Sequence, residues 1–151
     1  MSNLFKVSEV KLSYKTKLKA SERPKVLDSR TSYNLLMNCY DSETIELKES
    51  FKLLLLNRAN KVLGVMNVSE GGITGTIVDI KIVLQAAILA NASGLIISHN
   101  HPSGNLSTSA QDDFITKRIK KACEIMDIEL LDHVIVTPDN GYYSYADNDR
   151  L

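Results

Sequence analysis

Three side chains suited to binding a metal ion lie in one short stretch of the sequence, namely His99, His101 and Asp112. The two histidines are two residues apart, so their rings point to the same side of the chain if the backbone is extended. Neutral imidazole is the commonest metal ligand in proteins, and three protein ligands with one water form the usual catalytic zinc site. The spacing therefore predicts a bound Zn²⁺ with one coordination position open for chemistry.

Asp112 also has a structural interpretation. In the pattern Ser109-x-x-Asp112, a serine at the N-cap and an acidic residue three positions later are typical of a capping box at the start of a helix. The two interpretations are compatible, because a carboxylate in the first helical turn can reach outward to a metal while the helix dipole favours its negative charge.

A zinc hydrolase of amide bonds needs a carboxylate that takes a proton from water and returns it to the leaving amine. Glu49 is the first candidate for this base, because it precedes an apolar run that we predict to be a core strand. Glu46 and Glu43 are alternative candidates, and any of the three is otherwise a solvated surface residue. A hydroxyl group near the reacting carbonyl would stabilise an oxyanion, which suits Ser109.

The remaining histidine and the two cysteines are predicted to be structural. His133 lies within a predicted strand, where we expect a buried and hydrogen-bonded ring rather than a metal ligand. Cys39 and Cys123 are too few and too far apart for a disulfide framework or a cysteine zinc site, which indicates a reducing compartment. A deaminase is disfavoured because the patterns His-x-Glu and Pro-Cys-x-x-Cys are absent.

Length, composition and charge restrict the class of protein. The 151 residues are enough for one domain, and 44% of them are hydrophobic. The 18 basic residues balance the 18 acidic residues, so no overall charge attracts nucleic acid or an anionic membrane. The N-terminus has no apolar signal-peptide core, and no apolar run is long enough to span a membrane. We expect a cytoplasmic protein without membrane contact, and the oligomeric state is left open.

The hydrophobic pattern predicts the elements that position these residues. In chain order we expect a half-buried strand over 8–19 with a lysine-rich outer face, a helix over 30–40, a hairpin of 45–57 and 62–66, a glycine-rich loop over 71–76, a helix over 80–93, a strand over 94–98, a helix starting near 109, and strands over 130–137 and 142–145. Strands that alternate with helices indicate an α/β layer structure, and the hairpins indicate a mixed sheet. The strand over 94–98 would deliver both histidines at its end.

The motif residues carry a resemblance to a known family. The run His99-Asn100-His101-Pro102, followed by Ser109-x-x-Asp112 and preceded by a glutamate, resembles the signature of JAMM (MPN+) metalloproteases. The form His-Asn-His-Pro-Ser-Gly is similar to that of the RadC-like branch. Glu49 with the leucine run after it, the segment 71–79 and the segment 131–136 also resemble that family, so the resemblance covers roughly residues 28–147.

The resemblance implies a three-layer α/β/α fold of the cytidine-deaminase-like JAB/MPN type with a mixed central sheet. It would comprise residues 28–151, with residues 1–27 as an N-terminal strand extension. It assigns roles to five residues: the zinc ligands His99, His101 and Asp112, the acid/base Glu49 and the oxyanion donor Ser109. The ligand set together with Glu49 leads to our first hypothesis, a zinc-dependent hydrolase of peptide or isopeptide bonds.

This sequence departs from the family pattern in two places. Relatives usually have proline where Thr108 stands, which affects the stiffness of the loop. Many also carry an N-terminal helix-hairpin-helix domain that binds DNA, for which this chain has no room, so we expect a short form with weak support for nucleic-acid binding.

A second hypothesis is a noncatalytic module associated with DNA repair. Such a module would keep the metal for stability and bind a protein or DNA partner through the lysines between Lys11 and Lys19. The same lysines have a simpler explanation, because charged side chains keep an exposed edge strand soluble and unpaired.

Overall fold

A single five-stranded sheet with three helices forms the fold in the computed structural model, which describes residues 7–71, 77–139 and 141–151. The helices are α1 (Ser29–Met37), α2 (Ile80–Leu89) and α3 (Ala110–Ile125). The strands are β1 (Ser50–Leu56), β2 (Val62–Glu70), β3 (Gly94–Asn100), β4 (Glu129–Val136) and β5 (Tyr142–Ser144).

The strand order in the sheet is β2-β1-β3-β4-β5. Strands β3 and β4 are parallel, whereas β1 pairs antiparallel with both β2 and β3, and β5 pairs antiparallel with β4. A parallel pair needs a crossover connection, and α3 provides it between β3 and β4. The predicted mixed sheet is thereby confirmed, and the end of the central strand β3 leads into the loop that begins α3.

Side chains of the sheet alternate between two hydrophobic cores, one on each face. Leu53 and Leu55 of β1 belong to the core that α2 and α3 cover, while Leu54 and Leu56 belong to the core that α1 covers. Every residue of β3 is buried, as expected for a central strand with helices on both faces. These layers confirm the predicted α/β/α arrangement.

The prediction of a strand over residues 8–19 is wrong. Residues 7–16 have no regular structure, residues 17–19 form no strand, and the apolar side chains of Val10 and Leu12 are 85% and 78% exposed. The hydroxyl of Tyr14 donates to the carbonyl of Leu63, which tethers the segment to β2. Alternating residues gain burial only against an apolar surface, and α1, α2 and α3 already cover the two faces of the sheet.

The other predicted elements are present with shifted ends. The first helix begins at Ser29, with the carboxylate of Asp28 accepting from the N–H of Thr31, and it ends at Met37 rather than at residue 40. The helix predicted over 80–93 ends at Leu89, just before Asn91 adopts a positive φ of 54°. The hairpin is confirmed, although its first strand starts at Ser50 because the chain turns before it.

Residues 72–76 of the predicted glycine-rich loop lie outside the described residues. Within the described ranges, no helix has both the length and the apolar character required to cross a membrane.

Candidate metal centre

The end of β3 carries both histidines to one side of the sheet. His99 is the penultimate residue of the strand and is 3% exposed, and His101 is the first residue after it. Their Nε2 atoms are 2.9 Å apart. The two-residue spacing therefore has the predicted effect, because an extended backbone turns both rings toward the same point.

A tight turn after β3 orients the ring of His101. Gly104 has a φ of +82°, a conformation that side chains with a Cβ rarely adopt, and its N–H donates to the carbonyl of His101. The turn brings the carbonyl oxygen of Asn105 to 2.6 Å from Nδ1 of His101. A carbonyl only accepts hydrogen bonds, so Nδ1 carries a proton and donates it. In the neutral ring, Nε2 then directs a lone pair toward His99 and Asp112.

Asp112 combines both interpretations that the sequence left open. The Ser109 hydroxyl accepts from the N–H of Asp112 at 3.0 Å, and the Asp112 carboxylate accepts from the N–H of Ser109 at 2.8 Å. This capping box starts α3, as predicted. The two oxygens of the same carboxylate face the two rings: Oδ1 lies 3.1 Å from Nε2 of His99, and Oδ2 lies 3.4 Å from Nε2 of His101. The cap therefore fixes the carboxylate in front of the two rings.

The three groups strongly perturb one another. Burial opposes the charged form of Asp112, but the adjoining rings of His101 and His99 hold the pKa of this carboxyl far below its usual range. The hydrogen bond to Asp112 raises the pKa of His101. The charge of Glu49 acts in the same direction on the pKa of His101.

The donor set fits a divalent metal ion. One ligand atom from each of His99, His101 and Asp112 lies within 4.8 Å of the others, and the atom pairs given above are 2.9–3.4 Å apart. Ligands at about 2.0–2.2 Å from a tetrahedral zinc ion lie about 3.4 Å from one another, which is close to these separations. Two imidazoles and one carboxylate also match the preference of zinc for nitrogen and oxygen ligands. These residues could hold a metal ion.

Strand pairing places Glu49 beside this cluster. Phe51 is opposite His99 in the antiparallel pair of β1 and β3, so two residues earlier Glu49 comes level with His101. Glu49 is partly buried, whereas Glu43 and Glu46 are exposed on the turn before it. The structure thus separates Glu49 from the two alternatives, while its role as acid/base stays a prediction.

Asn100, between the two histidines, was not singled out from the sequence. Its side chain is fully buried and points to the face opposite to that of the two rings. Oδ1 accepts from the N–H of Ser50 at 2.7 Å, and Nδ2 donates to the carbonyls of Ile45 and Lys48 at 2.8 and 2.9 Å. The residue therefore fastens the turn that carries Glu49. An amide in an otherwise buried strand was the signal that could have identified it.

His133 is buried and hydrogen-bonded, as its position in a strand predicted. Its Nε2 lies 2.8 Å from Nδ1 of His99, and its Nδ1 lies 2.6 Å from the hydroxyl of Thr116. Burial holds the pKa of His133 well below its usual range, so the ring is uncharged. The sequence did not indicate that this ring contacts His99, because the contact joins β4 to the neighbouring strand.

A groove lies on another part of the surface. It has a volume of about 740 Å³ and is lined by residues that include Asn57, Gly94 and Asp127. Gly94 begins β3 and the histidines are at the strand's other end, so this groove is separate from the candidate metal centre.

Comparisons with known proteins show what this chain is similar to. The family model of the RadC-like JAB domain matches residues 26–150. A protein named UPF0758 protein from Flavobacterium johnsoniae is 50% identical over 99 residues, which are 66% of this chain and 43% of the relative. A protein of the same name from Porphyromonas gingivalis is 35% identical over 129 residues, which are 85% of this chain and 56% of the relative. Another, from Alkaliphilus metalliredigens, is 40% identical over 104 residues, which are 69% of this chain and 44% of the relative. The chain thus spans about half the length of the curated relatives it matches.

Proposed function

Because the chain belongs to the RadC-like JAB domain family, we propose that it is a zinc-dependent hydrolase of peptide or isopeptide bonds. The observation that carries this proposal is the convergence of two imidazole nitrogens and a carboxylate at the point where strand pairing brings Glu49 level with His101. The unpaired cysteines Cys39 and Cys123 suit a cytoplasmic location.

In this proposal His99, His101 and Asp112 hold the ion. A bound zinc ion would polarise the substrate carbonyl and lower the pKa of a coordinated water to about 7. The carboxylate of Glu49 accepts a proton from the water that attacks the carbonyl, and then delivers that proton to the nitrogen of the leaving amine.

Ser109 serves as the oxyanion donor. Its oxygen accepts the N–H of Asp112 through a lone pair, which leaves the hydroxyl proton for another acceptor. The side chain is exposed at the start of α3, where a substrate can approach it. Donation of this proton to the developing negative charge on the substrate oxygen would stabilise the transition state.

Metal analysis is the first test. Protein purified without added metal and analysed by mass spectrometry should contain about one equivalent of zinc, and the H99A/D112A double variant should contain none. A wild-type protein that cannot retain zinc, even after reconstitution and desalting, would contradict the proposal.

Hydrolysis is the second test and uses Glu49→Gln with Glu46→Gln as the matched control. On a peptide library and on lysine-linked isopeptides, E49Q should lose about 10²-fold or more in kcat while keeping its zinc, because it lacks the proton-transfer group. E46Q should behave as wild type, since Glu46 is exposed on the preceding turn. Equal loss in both variants would remove Glu49 from its proposed role.

The noncatalytic alternative rests on the exposed segment that contains Lys11 and Lys17. It predicts stoichiometric zinc, no turnover of any peptide or isopeptide, and binding to DNA that weakens steeply with salt. Replacement of the segment's lysines by glutamine would abolish that binding.

A further inference from the structure

We infer that Thr116 and His133 are positioning residues that set the tautomer of His99, so that its Nε2 presents a lone pair, and not a proton, to the metal. The inference deepens the proposed function, because it rests on His99 being a ligand. It follows from a chain of hydrogen bonds whose direction can be assigned one atom at a time.

The chain begins at the backbone carbonyl of Asp112. The hydroxyl oxygen of Thr116 lies 2.6 Å from this carbonyl oxygen. Two oxygens approach so closely only with a proton between them, and the carbonyl has none to give. The single hydroxyl proton of Thr116 is therefore committed to the carbonyl of Asp112.

The next contact joins Thr116 to His133. Nδ1 of His133 is 2.6 Å from the hydroxyl oxygen, which has no second proton to donate. The proton in this contact must come from Nδ1 of His133. His133 is fully buried, and its two ring nitrogens contact a hydroxyl and an imidazole, neither of which is negatively charged. Burial without an anionic partner disfavours the charged ring, so His133 has one ring proton and its Nε2 can only accept.

The last contact joins His133 to the metal ligand. Nε2 of His133 is 2.8 Å from Nδ1 of His99, so His99 must donate from Nδ1. With that proton on Nδ1, the neutral ring of His99 has its lone pair on Nε2, the atom that faces His101 and Asp112. The backbone of one ligand thus controls the proton position in another ligand through two intervening side chains.

Packing holds the two imidazole rings of this hydrogen-bond chain, which we call the relay, in fixed orientations. The ring of His133 stacks on Tyr145 with centroids 4.8 Å apart and planes within 8°. The ring of Phe51 lies nearly parallel to that of His99. Neither imidazole can rotate freely, so the direction of the relay is decided by the proton of Thr116 and not by ring motion.

The opposite proton arrangement is disfavoured by the same contacts. If Nε2 of His99 donated to the Asp112 carboxylate 3.1 Å away, His133 would have to donate from Nε2. Nδ1 of His133 would then have no proton and would face the hydroxyl oxygen of Thr116 lone pair to lone pair at 2.6 Å. Removing the hydroxyl should release this constraint, and His99 could then hold a proton on the atom needed for the metal.

The test compares Thr116→Val with Thr116→Ser and with Thr137→Val. Valine preserves the shape and deletes the hydroxyl, whereas serine keeps it. Thr137 is also buried, at 2% exposure, and its hydroxyl donates to the carbonyl of Gly141, so T137V controls for loss of a buried threonine hydroxyl.

Two measurements are made on each variant. Nitrogen-15 NMR of the imidazoles in chelator-treated protein at alkaline pH reports the tautomer, and competition with a chromogenic chelator reports the Kd for zinc. We expect wild type, T116S and T137V to hold the Nδ1–H tautomer of His99. In T116V this tautomer should be lost in part or completely, and the Kd should rise by about tenfold or more, as for other partners of metal-bound histidines.

The outcomes separate the inference from the proposed function. A wild-type His99 protonated on Nε2 overturns the inference, even if T116V does not fold. So does a T116V protein with an unchanged tautomer and unchanged Kd. If wild type shows the Nδ1–H tautomer and T116V shifts it, the relay stands, and failure of the wild type to bind zinc then overturns the proposed function alone.

Discussion

Ser109 shows how one side chain in this site has two separable tasks. As the N-cap of α3 it accepts the N–H of Asp112, and in the proposed mechanism it donates its hydroxyl proton to the substrate. The first task concerns the stability of the helix and the placement of the Asp112 carboxylate. The second concerns only the reaction rate.

We predict that Ser109→Ala lowers the free energy of unfolding by about 1 kcal/mol through loss of the cap and lowers kcat by roughly 10²-fold through loss of the oxyanion donor. Asp79→Ala is the matched control, because Asp79 caps α2 through the N–H of Lys81 and has no part in the proposed site. D79A should lose similar stability and no activity. Urea unfolding and steady-state kinetics measure the two effects, and equal kcat losses in S109A and D79A would refute the second task.

The pair of His101 and Asp112 makes the metal-free protein sensitive to pH. The pKa of His101 is raised above the ordinary value for histidine, chiefly by the hydrogen bond to Asp112. A group whose pKa is higher in the folded state stabilises the fold below its unfolded pKa, and that stability is lost as the pH rises through the folded pKa. Asp112 has a lowered pKa and so loses its contribution only in strong acid.

In the presence of chelator, the free energy of unfolding should therefore fall as the pH rises from the ordinary histidine pKa of about 6.5 through the raised pKa of folded His101. His101→Gln should show a smaller fall over the same range, since glutamine does not titrate. Urea unfolding at several pH values provides the comparison. A wild-type slope equal to that of H101Q would contradict the assigned direction.

At the scale of elements, the site exists because three of them end at one place. Strand β3 delivers two histidines, α3 begins with Asp112 in its capping box, and the start of β1 brings Glu49 level with His101. Asn100 joins the first and third of these elements, since its amide bonds the backbone at Ile45, Lys48 and Ser50.

Asn100→Asp should lower the free energy of unfolding by about 2–4 kcal/mol, because a carboxylate cannot donate to the two buried carbonyls of Ile45 and Lys48. It should also lower kcat at temperatures where the variant is folded, because the turn that carries Glu49 is released. Asn67→Ala, a change at an exposed asparagine on β2, should alter stability by about 0.5 kcal/mol or less. An N100D protein as stable as N67A would show that these bonds do not fasten the turn.

At the scale of the whole molecule, the two cores and the exposed N-terminal segment contribute unequally to stability. Leu36 of α1 is fully buried in one core, whereas the side chains of residues 7–15 are exposed. Burial of apolar area stabilises the fold, and exposed side chains add little.

Deletion of residues 1–19 should therefore change the free energy of unfolding by about 1 kcal/mol or less and leave the Kd for zinc unchanged. Leu36→Ala, which leaves a cavity in the core under α1, should lower the free energy of unfolding by about 2–5 kcal/mol. Both are measured by urea unfolding of the zinc-loaded protein. A loss of several kcal/mol on deletion would mean that the segment packs on the fold after all.

Much of the fold followed from the sequence because its signals are local. Three such signals depend only on residues that are close in the chain: the leucine run of β1, the apolar residues at three- and four-residue steps in the helices, and the Ser109-x-x-Asp112 pattern. The proximity of the two histidine rings could also be predicted, since a spacing of two residues in an extended chain suffices to bring the rings together. The strand predicted over 8–19 failed because alternation indicates a strand only where an apolar surface is free to cover it.

The sequence by itself determined which residues form the candidate site, through residue types and short spacings. Only the tertiary structure decided how they are held: the pairing of β1 with β3 separates Glu49 from Glu46, and the pairing of β3 with β4 sets His133 against His99. The physical reason is range. A hydrogen bond between residues 34 apart, such as that of His99 and His133, depends on strand register, which no local pattern in the chain specifies.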